Sequence, residues 1–445
     1  MSFLQLNNDH NVGIIDFFRH KTIFITGSTG FMGKVFVEKI LRALPTIQKM
    51  YLLVRANNAK VAKQRLHSEI IDSELFKVLR EKHGESYEGF MWNKIVPIAG
   101  DLCKPYFGID SDLIDVIKNE VNVIVHMGGN TKWHDRHDVA LEVNVRALSR
   151  LVDFAIGCMK LTVFVYMSSV CVSHDLPGVA LEKLVDLGGH CTKEDGQTLG
   201  LSIEQLINNE MCIISEVAQR FHEDEENKTE EMMKLALRRS KYYKLHNSYQ
   251  LSKAMGEIVA TKLSEKLQVV IIRPSLVEST IKEPFPGWIE GYKALDPIIL
   301  SHGMGQLEGF LAKPVGCLDV VPVDMVTNAM IAAIAKQGNE GKHGVNIYNV
   351  ASSCTNPLSC RDFFDISSNY FKTRPLVDSR GNVIRVQDIK FFESMTEFVI
   401  VGFGAATTSN AKLQTMLLRM AAIYEPILTV TETWYVPLQF SSLNN

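Results

Sequence analysis

The chain has no paired cysteines, no uninterrupted apolar run long enough to cross a membrane, no surplus of basic charge and no internal repeat. Eight cysteines stand singly, from Cys103 to Cys360, without a C-x-x-C pair or an even spacing. That pattern argues against a disulfide framework or a zinc site and leaves free thiols in a reducing compartment. A net charge of −3 argues against nucleic-acid binding. The most apolar windows, 398–406 and 320–335, are too short or are broken by Asp324 and Asn328, so no transmembrane helix is expected. The opening residues MSFLQLNNDHNVGIIDFF lack both the basic-then-apolar order of a secretory signal and the Ser/Arg-rich character of a transit peptide, so neither secretion nor plastid import is expected. What is there is a chain of 445 residues, 46% hydrophobic and 22% charged, the composition of a large globular domain with a smaller unit attached.

Short β-branched runs alternate with helix-period segments through the first part of the chain. Six near-continuous apolar runs, at 22–26, 50–55, 95–99, 121–127, 161–167 and 269–273, read as strands covered on both faces. Right-handed crossovers between them predict an α/β fold with a Rossmann-type, doubly wound parallel sheet. A polar insertion separates the fifth and sixth runs. It carries the acidic HEDEENKTEE at 222–231 and the basic RRSKYYK at 238–244, and reads as a solvated helical surface whose basic side could face phosphates. NPLSCRDF at 356–363 reads as a helix start.

The first run is followed at once by GSTGFMG and then by the helix-period KVFVEKILRAL. A glycine loop between a strand and a helix is a dinucleotide site in outline. Gly27 permits the tight turn, Gly30 lets the backbone approach a pyrophosphate, Gly33 allows close helix packing, and Ser28, Thr29, Phe31 and Met32 complete the loop at the helix N-terminus. The second run ends in Arg55, where an NAD-selective site would carry a carboxylate; a guanidinium there can pair with a 2′-phosphate, which favours NADPH. Asp101 and Leu102 follow the third run and Gly128-Gly129-Asn130-Thr131 follows the fourth, placing small and polar residues at the strand ends where a nucleotide would lie.

Tyr249 and Lys253 stand four apart, on one face of a helix just before the sixth run. A phenol near an ammonium and a nicotinamide is expected to titrate below its usual value of about 10 and to pass a proton to a carbonyl oxygen. Tyr249 is therefore the candidate general acid, Lys253 tunes it and binds the nicotinamide ribose, and Ser169 orients the carbonyl, with Ser168 an open competitor for that role. Asn144, on the helix after the fourth run, is expected to support Lys253. His134 and His137 have helical i, i+3 spacing, but no third ligand is indicated and no metal is expected.

Beyond these residues the chain resembles the plant fatty acyl-CoA reductases, the male-sterility group of extended short-chain dehydrogenase/reductases. The resemblance runs from about 17 to 426 and is carried by SYQLSKAMGE at 248–257, RPSLVESTIKEPFPGWIEG at 273–291, HGMGQLEGF at 302–310 and LDVVPVDMVTNA at 318–329. It implies a reductase domain over 17–338 and a smaller, mainly helical C-terminal domain over 345–445, truncated and divergent after about 426. It also implies reduction of a long-chain acyl-CoA to a primary alcohol with two NADPH, by way of an aldehyde, with Tyr249, Lys253 and Ser169 serving both rounds. Trp288 and Phe285 of EPFPGW are then expected to offer apolar contact to the acyl chain. Peripheral association with the cytoplasmic face of the endoplasmic reticulum, or a cytosolic location, accompanies that reading. An extended reductase acting on a sterol or phenylpropanoid carbonyl, and a catalytically silent lipid-binding relative, stay open. The chain departs from the family pattern at Gly128-Gly129, at Cys171 and at Leu245.

Overall fold

A computed structural model of the chain describes residues 13–173, 178–185, 187, 202–221 and 224–401, together with Thr415, Leu418, Ala421 and Thr433–Tyr435. Apart from that last strand, the stretch expected to diverge after about 426 lies outside the described residues, as do the first twelve residues and the first two of the acidic run.

Seven strands form one all-parallel sheet: β1 (Thr22–Thr26), β2 (Lys49–Val54), β3 (Ile95–Ala99), β4 (Val123–His126), β5 (Val163–Met167), β6 (Gln268–Pro274) and β7 (Gly344–Val350). Their order is β3-β2-β1-β4-β5-β6-β7. Alternation of side chains across the sheet divides the core in two. Ile23, Ile25, Val123, Val125, Val163, Val165, Val270 and Ile272 belong to one buried cluster, shared with helices α1 (Phe31–Ala43) and α3 (Val323–Glu340). Phe24, Ile124, Phe164, Tyr166, Val269 and Ile271 belong to the other, shared with α2 (Ser248–Ala260). Both faces are covered, which is why the central strands read as unbroken apolar runs.

The chain winds outward from β1 to β3 and then returns to place β4 on the other side of β1. That reversal opens a crevice at the C-terminal ends of β1 and β4, the place where doubly wound sheets hold their ligands.

Six strands were legible and the seventh was not. GVNIYNV interleaves polar Asn346 and Asn349 with apolar residues and lies at the sheet edge, half-exposed over its first three residues. An edge strand needs no continuous apolar run. The expected division at 345 falls inside this strand. The smaller lobe also draws on both sides of that division. Leu295, Ile298, Phe310, Leu311 and Leu318 pack with Cys360, Phe364, Phe392 and Phe398 in a third core. Gly309–Leu311 pairs with Lys390–Phe392, and Cys317–Leu318 with Leu358–Ser359, so the lobe mixes short strands with helices. The expected helix start is present: the Ser359 hydroxyl accepts from the Asp362 amide at 3.0 Å and caps Cys360–Thr373.

The insertion is more than a solvated surface. Helices Ile203–Arg220 and Glu225–Tyr242 bury Leu206, Ile214, Val217, Met232 and Leu235 against the second cluster.

Candidate active site

At the glycine loop two of the three glycines are demanded by space. Gly27 has φ +76°, and a Cβ there would lie 2.5 Å from the Gly128 amide nitrogen. A Cβ on Gly33 would run into the Gly27 carbonyl and lie 2.8 Å from Ser28 Cα. Gly30 is looser, with the Gly27 carbonyl oxygen at 3.3 Å; it is the cap of α1, whose first N–H groups have no partner within the helix. The Ser28 hydroxyl is fully buried and has no hydrogen-bond partner among the described residues. A backbone cradle that side chains would fill, an unpartnered hydroxyl beneath it and a helix N-terminus beside it together fit a dinucleotide diphosphate.

Two cavities meet at this loop. One, of about 280 Å³, is lined by Gly27, Thr29, Leu53, Arg55, Arg65, Asp101, Leu102 and Gly129 among others. Its lining brings together Arg55, Asp101 and Leu102, which the sequence reading set at the nucleotide's end of the sheet. Arg55 is exposed and its Nε stands 3.5 Å from the Asp101 carboxylate. Arg65 supplies a second guanidinium that the sequence reading missed. Its Nη1 donates to the Arg55 carbonyl at 2.8 Å, and its Nε pairs with Glu69. Nothing in the local pattern of Ala59–Leu66 marks it; only the packing of that helix beside β3 and β2 brings it to the pocket.

The second cavity, of about 490 Å³, joins Gly30, Phe31, Met32 and Gly33 to Ser169, Tyr249 and Lys253. Met127, Trp133, Met167, Val170, Leu276 and Val277 give it apolar walls. The structure thus brings the three candidate catalytic residues together beside the glycine loop. Asn247 caps the helix that carries Tyr249 and Lys253, its side chain accepting from the Gln250 amide at 3.0 Å.

The two serines part company. Ser168 donates to Glu257 Oε1 at 2.5 Å, and Glu257 is held bidentately by Arg273, with neither side chain of that pair exposed. Both serines line the cavity, but Ser169 leaves its hydroxyl on the side of the Tyr249 phenol and accepts from the Cys171 amide at 3.3 Å. Both lie just past the end of β5, and what each hydroxyl meets, not strand alternation, separates them.

Burial holds the Tyr249 phenol above its ordinary value, Cys171 adds to this, and the Ser169 hydroxyl opposes it. The expected lowering by Lys253 is not seen. Lys253 donates to the Met167 carbonyl at 2.8 Å, and burial pushes its ammonium down to about 8 against the pull of Glu257. Desolvation is the largest influence at both groups.

Two expected cofactor residues do not line either cavity. Asn144 is buried behind Gly129, donating to the Asn130 carbonyl and to Ser252 Oγ at 2.9 Å each and accepting from the Asn130 amide at 2.7 Å. It lies in a π-helical turn, Glu142–Arg146, that the sequence reading did not foresee. The Asn130 side chain is engaged with Asp135 at 2.5 Å and the Lys132 amide at 3.0 Å. Both residues brace the Gly129 turn.

The EPFPGW segment also lies elsewhere than expected. Trp288 stacks on Phe31 with centroids 5.6 Å apart, and Phe285 lies under Lys77. Ion pairs of Glu283 with Lys39 and Arg42, and of Glu290 with Lys34, fasten the segment along α1. Asp324 accepts from the Ile281, Lys282 and Glu283 amides at 2.9–3.0 Å. Neither aromatic lines the cleft; Lys293 and Ala294, just beyond, do. In the insertion, Arg239 of the basic run is turned to buried Glu210, which also meets His137 at 2.9 Å.

A family model of NAD-binding type, described as Male sterility protein, matches residues 25–330. The chain is 41% identical to "Fatty acyl-CoA reductase 2, chloroplastic" of Arabidopsis thaliana over 87% of its own length, spanning 63% of that relative. It is 37% identical to "Fatty acyl-CoA reductase 1" of the same plant, over 93% of the chain and 82% of the relative. It is 32% identical to "Alcohol-forming fatty acyl-CoA reductase" of Simmondsia chinensis, over 86% and 77%. Among solved structures, the terminal R domain of the myxalamid pathway superposes with a TM-score of 0.59 at 17% identity, over 96% of this chain and 84% of that one, and shares the fold. With its glycine cradle, its parallel sheet and these relatives in agreement, the chain belongs to the fatty acyl-CoA reductase, or male-sterility, family of oxidoreductases and takes a nicotinamide cofactor.

Proposed function

We propose that the protein reduces long-chain fatty acyl-CoA to the primary alcohol, with release of coenzyme A and consumption of two NADPH. The observation that carries this reading is one cleft in which Ser169, Tyr249 and Lys253 stand beside the glycine loop under apolar walls. A bound nicotinamide would supply hydride to the carbonyl carbon. Ser169 and Tyr249 orient the carbonyl oxygen and stabilise the charge that develops there, and the Tyr249 phenol delivers the proton. In the first round the tetrahedral carbon expels the thiol of coenzyme A; in the second the aldehyde carbonyl occupies the same position, so the same two hydroxyls serve again. Lys253, held by the Met167 carbonyl, stands where it can bind the nicotinamide ribose and stabilise the phenolate that proton delivery leaves behind.

The preference for NADPH is supported by Arg55 and Arg65 at the rim of the adenosine cavity. Peripheral membrane association and action at the cytoplasmic face of the endoplasmic reticulum, or in the cytosol, are proposed from the poor solubility of a long-chain substrate. One relative above is chloroplastic by name, and fractionation of the tagged full chain distinguishes the compartments.

The central test is NADPH consumption by the purified chain with acyl-CoAs of graded length, with products separated by gas chromatography. Alcohol from the wild type and none from Tyr249→Phe supports the reading. Cofactor binding without turnover of any acyl-CoA refutes it.

A further inference from the structure

We propose that Lys293 recognises a diphosphate at the mouth of the cleft, an inference that rests on the acyl-CoA reading above. Lys293 follows the segment clamped along α1, and its backbone is fixed by donation from its amide to the Asp296 carboxylate at 2.8 Å. Its ammonium lies 5.5 Å from the centroid of the Phe31 ring, on the wall of the cavity that holds Gly30, Tyr249 and Lys253. Phe31 is the first residue of α1, directly after the glycine loop, and Lys293 lines the same cavity as Gly30 and Gly33.

What separates Lys293 from its neighbours is pairing. Lys34 is neutralised by Glu290, and Lys39 and Arg42 by Glu283. Lys293 has no carboxylate partner among the described residues, and its ring contact leaves the ammonium's donors to a ligand. Asp319, the carboxylate on the same wall, is taken by the Ser352 and Ser353 amides at 2.7 and 3.0 Å.

A compact point charge on the wall of a largely apolar cleft suits an anion that arrives with its substrate. Two diphosphates come within its compass: that of the dinucleotide along the glycine loop, and that of coenzyme A, which trails outward from a thioester seated at Ser169 and Tyr249. The chemistry recognised is the same in both.

The experiment is calorimetric titration of the purified full chain, as wild type, Lys293→Gln and Lys293→Arg, with NADPH, coenzyme A and pantetheine, which lacks the diphosphate. Lys293→Gln is expected to weaken one of the first two by about tenfold and to leave pantetheine unchanged, while Lys293→Arg retains most of the affinity. Loss confined to NADPH assigns the lysine to the cofactor, and loss confined to coenzyme A assigns it to the substrate. Unchanged affinity for both, an equal loss for pantetheine, or a wild type that binds neither diphosphate overturns the inference. Because binding is read without turnover, a protein that binds these ligands yet reduces no acyl-CoA would refute the proposed activity and leave this test intact.

Discussion

Replacing Ser168 and Ser169 by alanine, one at a time, separates structural from chemical roles within a single dipeptide. Ser168→Ala removes a buried hydroxyl that donates to Glu257 at 2.5 Å. Glu257 keeps its bidentate pair with Arg273, so the carboxylate loses one of its donors and is not stranded. A hydrogen bond to a charged group contributes about 1.5–3 kcal/mol, and the expected cost to stability is near the middle of that range, about 2 kcal/mol. Turnover by the folded fraction should change less than about threefold, since the Ser168 hydroxyl is spent on Glu257 although the residue lines the cleft. Ser169→Ala should do the reverse. Its hydroxyl faces the cleft beside Tyr249, and losing one donor to a developing oxyanion lowers kcat by about 10²–10³-fold. Stability should move by less than about 1 kcal/mol. Urea unfolding followed by tryptophan fluorescence, and NADPH-coupled turnover at saturating acyl-CoA, measure the two effects. If Ser168→Ala abolished turnover at unchanged stability while Ser169→Ala remained active, the assignment of the two side chains would be wrong.

Alanine at Gly33 meets backbone at the Gly27 carbonyl, whereas alanine at Gly30 meets the same oxygen at an accommodating 3.3 Å; cofactor affinity, read by quenching of protein fluorescence, should fall more than about tenfold for Gly33→Ala and less for Gly30→Ala. Lys253 titrates at about 8, so with its ammonium required, kcat/KM should fall as pH rises through that value; Glu257→Gln removes the charge that holds it up, and a limb that failed to move to lower pH would contradict the coupling. Because the folded value of this amine lies below its unfolded one, its contribution to stability is present above the unfolded value near 10.5 and is lost as pH falls through about 8, which urea titrations across that window can follow. Arg55→Ala combined with Arg65→Ala should erase about 2–3 kcal/mol of preference for NADPH over NADH, measured as the ratio of kcat/KM values, with little change for NADH.

The clamp on α1 shows how the fold couples two parts of the site that are about 260 residues apart in sequence. The Trp288–Phe31 stack and the Glu283 and Glu290 ion pairs tie the segment after β6 to the helix that presents the glycine loop. EPFPGW therefore acts on the cleft through position, by carrying Lys293 and Ala294 to its wall.

Local patterns in the sequence were sufficient for six of the seven strands, for the glycine loop at Gly27, Gly30 and Gly33, and for setting Tyr249 and Lys253 on one helix beside one cavity, because strand burial, tight turns and helix faces are set by residues a few positions apart. Tertiary structure decided the rest. Which hydroxyl of Ser168 and Ser169 is left to the cleft depended on the Glu257–Arg273 pair taking the other. Arg65 and Lys293 reached their cavities through packing of elements far along the chain. The seventh strand was hidden because an edge needs only one partner. The smaller lobe was hidden because its core joins residues 295–318 to residues 358–398, a contact that no periodicity along the chain records. The direction of the Tyr249 shift followed the same rule: burial is a property of everything packed around a group, and four residues of spacing could not report it.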